Sequence, residues 1–540
     1  MKKYPQILSA ATIIMLMMLA SRILGIVRER LLVSIFDRTL ESDVYRASFL
    51  IPDTLFDIFI FGALSVSFIP VFTSYLSNDQ KESAFRYANS LLSVFLCAFL
   101  VVALVLGIVA PSLAHLLLVG YVGDYPETPV LFGNLTRLLL LAQVFFVLSA
   151  FLTGILHSFQ RFFLPAVASV VYNVAIILGI VLFSSEFGIY GPALGVVMGA
   201  FFHLLIQIPL VWRLGFRYEF LWNITDPGFR ETLRLMIPRV VTAIMMRFAD
   251  VVMVPIASLV AIGSYTVYNI AFILQGVPVG LFGLSIAQAA LPSLSSAYAK
   301  KDMGMFQDIV VHGIRQILFF IVPVAAMLIA LRIPITRLVY GAKTFPWEAT
   351  VLTGQTLSLF SVSLFAQALV LLFSRCFYAM HNPITPLKII GFSTLTTVVA
   401  SFALVFWFGW NVDGLALAFS LGSIVNASLL FIALDRVLGG FDYQKLIGPT
   451  LKIAVAGSMM AFGLRILMKQ LDLVVFDTTR TINLIYLTAS VSIVGLGIYL
   501  LLVWILRVEE LREFLALFRR LTGWRKTLRL TEELIEPQQK

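Results

Sequence analysis

Cysteine, histidine and charge are all scarce in this sequence. Two cysteines in 540 residues, Cys97 and Cys376, both inside apolar runs, give neither a disulfide framework nor a metal-ligand spacing. The five histidines (His115, His157, His203, His312 and His381) are scattered and read as packing or interfacial residues, so no metal site is expected. No GxxxxGK[ST] occurs, nor any Gly-Lys dipeptide, which removes a phosphate-cradling loop. HExxH and G-x-S-x-G are missing as well. ATPase and hydrolase chemistry therefore have no residues to rest on, and neither an enzyme nor a cofactor is expected. Only 13% of the chain is charged, too little to clothe a soluble surface of this length.

What is abundant is apolar: 60% of residues are hydrophobic and the mean hydropathy is +0.96. Disorder is excluded, because disordered chains are poor in hydrophobics. A spanning helix needs roughly 20 mostly apolar residues. Fourteen runs of that kind occur, at about 8–34, 47–76, 87–118, 130–158, 163–184, 189–212, 233–260, 264–298, 312–337, 351–380, 386–410, 413–435, 450–470 and 482–506. They are continuous rather than alternating, which excludes barrel strands. The first is too long for a signal-peptide core and is read as a retained helix. The expected fold is thus an all-α polytopic membrane protein of about 14 transmembrane helices.

The formal charge of +10 reports orientation rather than nucleic-acid binding in such a protein. Most Lys and Arg fall in the N-terminus (Lys2, Lys3), the even-numbered links (among them Arg213, Arg217, Arg230, Arg234, Lys300 and Lys301) and the stretch after Arg507. Both termini are expected to be cytoplasmic. In the tail, Arg519, Arg520, Arg525 and Lys526 beside Trp524 read as an amphipathic helix on anionic membrane lipids, with a solvated basic tail as the plainer alternative.

The chain repeats itself. Phe61-Gly62-Ala63-Leu64-Ser65 before Pro70 recurs as Phe282-Gly283-Leu284-Ser285 before Pro292. Gly154-Ile155-Leu156-His157 before Pro165 is echoed by Arg375-Cys376-Phe377-Tyr378 before Pro386. Gly191-Pro192-Ala193-Leu194 is echoed by Gly414-Leu415-Ala416-Leu417. The offsets all fall between 221 and 223 residues. Six spans separate equivalent points, so both copies insert with one polarity. The expected organisation is an N-terminal lobe (1–220), a C-terminal lobe (221–440), two further helices (441–506) and the basic tail (507–540). Two six-helix lobes in parallel pseudo-repeat plus two C-terminal helices form the frame of an alternating-access carrier.

Ionisable residues inside spans are costly and by default functional, and here they cluster. The first span carries Arg22, Arg28, Glu29 and Arg30, and the link after it Asp43 and Arg46. The second carries Asp53 and Asp57, one turn apart on one face. The seventh carries Arg239, Arg247 and Asp250. Arg375 is the main exception elsewhere. Guanidinium forks bind phosphate bidentately and keep their charge, so the arginines read as a site for a phosphate-bearing substrate. The acids, together with Arg375, read as gate or ion-pair partners. The plainer alternative is that these charges only pair with one another. Gly25 and Pro52 would allow the helices to bend.

The chain resembles the MurJ/MviN family of lipid II flippases in the MOP exporter superfamily. The resemblance rests on Ser21-Arg22-Ile23-Leu24-Gly25 with Arg28-Glu29, on Ser42-Asp43, and on Ile51-Pro52 through to Phe68-Ile69-Pro70-Val71-Phe72. Further on it rests on Pro278-Val279-Gly280-Leu281-Phe282-Gly283 and, most specifically, on Arg375-Cys376-Phe377-Tyr378-Ala379 before Thr385-Pro386-Leu387-Lys388. It implies a carrier that moves the undecaprenyl-pyrophosphate-linked peptidoglycan precursor to the outer leaflet of the inner membrane, as a monomer, in contact with cell-wall synthesis enzymes. It also implies roles in substrate binding or gating for Arg22, Arg28 and Asp43, with Glu29 beside them, and a lipid-tail groove at the last two helices.

The departures are specific. Relatives carry an arginine pair where this chain has Phe56-Asp57, a glutamate at Phe61, and an arginine at Ile273. Spans eleven's threonines (Thr394, Thr396, Thr397) come without an acid, so no sodium site is carried over. Arg239 and Arg247 are read as replacing the lost charge. Alternatives are a flippase for another polyprenyl-pyrophosphate glycan, a cation-coupled drug exporter of the same superfamily, or a scaffold that has lost transport.

Overall fold

A computed structural model describes the backbone of residues 4–63, 68–341, 346–474, 481–512, 514 and 515. Side chains are described for the same residues except 4–16, 61–63, 235, 237–239, 241–243, 245, 246, 249, 471–474 and 481. Lys2, Lys3, Leu64, Ser65, the side chain of Arg239 and the basic tail at Arg519, Arg520, Trp524, Arg525 and Lys526 lie outside the described residues.

Every regular element among the described residues is helical. In order these are α1 (Tyr4–Phe36), α2 (Leu40–Ser48), α3 (Leu50–Ala63), α4 (Ile69–Ser77), α5 (Lys81–Leu117), α6 (Val119–Val122), α7 (Thr128–Ser158), α8 (Phe163–Leu178), α9 (Ser184–Phe187), α10 (Tyr190–Leu205) and α11 (Ile208–Arg213). They continue as α12 (Pro227–Val260), α13 (Ser264–Pro278), α14 (Ser285–Ala299), α15 (Met303–Ala330), α16 (Arg332–Tyr340), α17 (Trp347–Ser361), α18 (Leu364–Ala379), α19 (Ile384–Phe402), α20 (Val412–Leu438), α21 (Tyr443–Val474) and α22 (Thr481–Ile505). Three π-helical turns interrupt them, at Gly179–Phe183, Val279–Leu284 and Ala403–Trp407.

Ten of these helical stretches are long and apolar enough to cross a membrane, or eleven if α17 and α18, bent by 44° at Val362, count as one span. The runs at 8–34, 47–76 and 233–260 are not among them, and these are the three that carry most of the ionisable residues. The run at 47–76 is divided. Thr39 caps α2 by accepting from the Ser42 amide, α2 ends at Phe49, and Pro52 stands in the first turn of α3, where a missing N–H costs nothing. The ninth run also ends early: α15 stops at Ala330 and α16 begins anew at Arg332, with Pro334 in its first turn.

The chain forms two compact units: Met1–Ile270 with Val339–Thr356 and Thr394–Ala418, and Ala271–Leu338 with Leu357–Ser393 and Phe419–Lys540. In the first, α5 lies along α7, α8 along α10, and α12 along α3. Its core is aromatic: Phe68, Phe72, Tyr87, Phe99 and Phe151 are all buried, with Phe68 stacked 5.1 Å from Phe72 and 5.7 Å from Tyr87. Leu100, Val101, Leu104, Val105 and Ile108 face outward from α5, a stripe that suits lipid and not water. In the second unit, α15 packs against α14, α18 and α21. Arg315 on α15 ties down the chain after α22, bonding Glu509 at 2.7 Å and also pairing with the buried Glu510. The donated bonds and charge of Arg315 hold the Glu509 carboxyl below its ordinary range.

Candidate functional site

Three groups of buried and half-buried polar residues lie inside the first unit. The first is built on Asp43, which is fully buried on α2. Its carboxylate accepts four hydrogen bonds: from the Thr266 amide (2.7 Å) and hydroxyl (2.6 Å), the Gly263 amide (2.8 Å) and the Tyr121 hydroxyl (2.5 Å). Gly263 and Thr266 open α13, so a carboxylate from α2 caps another helix, where exposed N–H groups and the helix dipole favour negative charge. Thus no cation is needed to keep Asp43 buried. The approach is close because Gly263 has φ +83 and an added Cβ would lie 2.5 Å from the Arg38 carbonyl oxygen. Beside it, the Gly120 amide donates to Ser258 Oγ at 3.1 Å.

The second group joins α1, α2, α8 and α13. Glu29, 8% exposed, accepts from Arg28 on Oε1 (2.9 Å) and from Arg46 on Oε2 (3.0 Å). Arg46 Nη1 also donates to Asn269 Oδ1 at 3.0 Å, and Arg28 reaches Asn173 Oδ1 at 3.4 Å. One carboxylate thus serves two guanidiniums. Arg46 is 7% exposed, yet its Nε and Nη2 have no partner among the described residues. Unmade donors on a buried cation are expensive.

The third group joins α3, α7 and α12. Arg247 grips Asp57 with Nε at 2.7 Å and Nη2 at 2.6 Å, and reaches Asp250 with Nη1 at 3.4 Å. One turn before Asp57, Asp53 Oδ1 accepts from Gln143 Nε2 at 2.8 Å. The pairing of Arg247 with Asp250 named from sequence is present, but Asp57 is the nearer partner.

The structure therefore brings Arg28, Glu29, Arg46 and Asp43 close to the start of α13, and Arg247 to Asp57, Asp250 and the neighbourhood of Asp53. Arg22 is exposed on α1. Arg30 donates to the Gly341 carbonyl oxygen at 3.3 Å. Arg375, in the second unit, lies 6.0 Å from the Tyr378 ring. Gly25 lies within the unbroken α1, with nothing nearer to an added Cβ than Asn173 Oδ1 at 3.8 Å. Sequence reasoning missed Tyr121, Gln143, Asn173, Thr266 and Asn269. A signal for two of them was there, since Gln143 and Asn173 are isolated amides in apolar spans. No group of three or more His, Cys, Asp or Glu able to hold a metal occurs among the described residues.

Long apolar helices around buried and half-buried paired charges define a multi-pass membrane transporter. Solved structures share this fold: the inward closed conformation of the lipid II flippase MurJ matches with TM-score 0.73 at 23% identity, over 90% of this chain and 98% of that one. An inward-facing multidrug resistance MATE family transporter of the MOP superfamily matches with TM-score 0.64 at 16% identity, over 78% and 94%. The family model for lipid II flippase MurJ matches residues 32–481, and the chain belongs to that family. Among curated relatives, a probable lipid II flippase MurJ of Buchnera aphidicola subsp. Acyrthosiphon pisum is 30% identical over 77% of this chain and 81% of its own. The lipid II flippase MurJ of Burkholderia cenocepacia is 26% identical over 77% and 82%.

Proposed function

We propose that this chain is a lipid II flippase, carrying the undecaprenyl-pyrophosphate-linked precursor from the inner to the outer leaflet of the cytoplasmic membrane by alternating access. The observation that carries the reading, beyond membership of the family, is Arg46. A buried guanidinium shares one carboxylate with Arg28 and keeps two donors unused, the pattern of a cation waiting for an anionic ligand. Phosphate oxygens would take those donors bidentately, and Glu29 would hold both arginines when the site is empty. A pyrophosphate could not cross hydrocarbon unaided, so a polar passage for the headgroup with the isoprenoid tail left in lipid is the economical division.

The same reading places α1, the run divided into α2–α4, and α12 as spans whose charges turn away from lipid. Added to eleven apolar spans they make fourteen, as two six-helix lobes, two further helices and cytoplasmic termini. Arg247 would compensate for the arginines that Phe56, Asp57 and Ile273 replace. Rescue of a bacterium depleted of its own lipid II flippase tests this, with wild type and Arg28→Ala at matched membrane abundance. Growth with wild type and lysis with the variant is expected. Lysis with both would move the cargo to another polyprenyl pyrophosphate. Growth with both would keep the function and move the essential charge away from Arg28.

A further inference from the structure

The two copies of the repeat contain one hydrogen bond in common, with an acid as acceptor in the first and an amide in the second, where Gln367 Nε2 also donates to Ser363 Oγ at 3.0 Å. In the first copy Gln143 Nε2 on α7 donates to Asp53 Oδ1 on α3 at 2.8 Å. In the second, Gln367 Nε2 on α18 donates to Gln275 Oε1 on α13 at 2.9 Å. Asp53 and Gln275 are 222 residues apart and Gln143 and Gln367 are 224 apart, within one residue of the 221–223 offset of the repeated motifs. The second copy demonstrates that a neutral amide fills this place. Packing alone therefore gives no reason for a carboxyl at Asp53.

Gln143 supplies the second observation. It is 7% exposed, and its Oε1 has no donor among the described residues. An ionised carboxylate beside it can only accept, whereas a carboxylic acid has one O–H to give. A proton on Asp53 Oδ2 would donate to Gln143 Oε1 while Gln143 Nε2 keeps its bond to Oδ1, closing a carboxyl–amide ring in which both groups are satisfied. Ionised, the pair leaves the orphan acceptor.

The charged surroundings single out Asp53 among its neighbours. On its own helix stands Asp57, and on α12 stand Arg247 and Asp250. Arg28 on α1, Tyr172 on α8 and Tyr265 on α13 complete the groups that act on it. Arg247 is taken up by Asp57 and Asp250, and Asp53 forms no ion pair among the described residues. Three acids share one cation, and the unpaired one is next to the orphan acceptor.

We infer that Asp53 and Gln143 form a proton-binding site that loads and empties once in each transport cycle. Loading takes a proton from water onto Asp53 Oδ2, and emptying returns it, with no bond to carbon or phosphorus involved. Its use in transport rests on the flippase reading; the binding of the proton does not.

The test is infrared difference spectroscopy of the full chain in lipid nanodiscs, titrated from about pH 9 to about pH 5, following the carbonyl stretch of a protonated carboxylic acid. The band is expected in wild type, lost in Asp53→Asn and Asp53→Gln, kept in Asp57→Asn, and shifted in Gln143→Leu, where the O–H has lost its acceptor. The amide variants are expected to fold, since Asp53→Gln reproduces the pair of the second copy. A band that survives Asp53→Asn, or disappears in Asp57→Asn, overturns the assignment. In proteoliposomes, a pH gradient is expected to change the lipid II rate of wild type several-fold and that of Asp53→Asn not at all. An equal response from both sinks the coupling role. A wild type that moves no lipid II but keeps its titrating band sinks the flippase reading instead.

Discussion

Arg46 Nη1 stands 3.0 Å from Asn269 Oδ1, a residue 223 positions further along the chain, and the same separation sets the Asp43 carboxylate against Thr266. That spacing is the period of the internal repeat. The helix α2 thus meets the start of α13, and Glu29, Arg46 and Asp43 gather there.

Removing the cap from α13 should loosen that meeting. Asp43→Ala takes one acceptor from four donors, and loss of a capping side chain costs about 1–2 kcal/mol. With Ser264→Cys as reporter, maleimide labelling should speed up by roughly 5–30-fold in the Asp43→Ala background. Unchanged labelling would mean that the carboxylate does not hold the helix.

Two glycines of α-helical backbone should behave oppositely. An added Cβ at Gly120 would lie 2.2 Å from the Ser258 carbonyl oxygen, so Gly120→Ala is overpacked and should cost about 1–3 kcal/mol, read as a fall in Tm. Gly25→Ala has room, its nearest neighbour being 3.8 Å away, and gains up to about 1 kcal/mol of helix propensity. If Gly25 is a hinge, transport slows in that variant although Tm rises; transport at the wild-type rate would remove the hinge.

Arg247 and Asp57 should depend on each other. Arg247→Ala leaves Asp57, whose side chain is 13% exposed, without its cation. The arginine is a third exposed, so the cost should be about 2 kcal/mol rather than the larger penalty of a fully buried pair. Arg247→Ala with Asp57→Ala should recover part of it in a thermal-unfolding double-mutant cycle. Strict additivity would show that the two do not interact.

Acid should release the chain after α22 late. Arg315 holds the Glu509 carboxyl below its ordinary range, so this contribution is present above the free carboxylate value of about 4.3. It is lost as pH falls through the lowered folded value. Hydrogen exchange at Leu506–Leu511 should therefore stay protected at about pH 5 in wild type and be faster in Arg315→Gln. Equal exchange in both would place the anchor elsewhere.

Much of this was legible in the sequence. Long apolar runs report spans because lipid leaves the backbone no partner but itself, and Arg28, Glu29, Arg46, Asp57 and Arg247 stand out because charge is rare in such runs. Partners were not legible: nothing in the chain says that Asp43 looks to backbone amides at Gly263 and Thr266 rather than to an arginine, or that Arg247 prefers Asp57 to the closer-numbered Asp250. Those choices depend on helix rotation and tilt, which apolar composition does not encode. Breaks such as Phe49 and Leu331 were lost for a related reason, since hydropathy continues across them.

The π-helical turns at Gly179–Phe183 and Ala403–Trp407 stand 224 residues apart, at matching places near the ends of α8 and α19. Such a turn holds one residue more than an α-turn. An extra residue at points 224 positions apart widens both helices in the same way. The two stretches thus share a backbone irregularity, whereas Asp53 and Gln275, 222 positions apart, differ in whether they can carry charge.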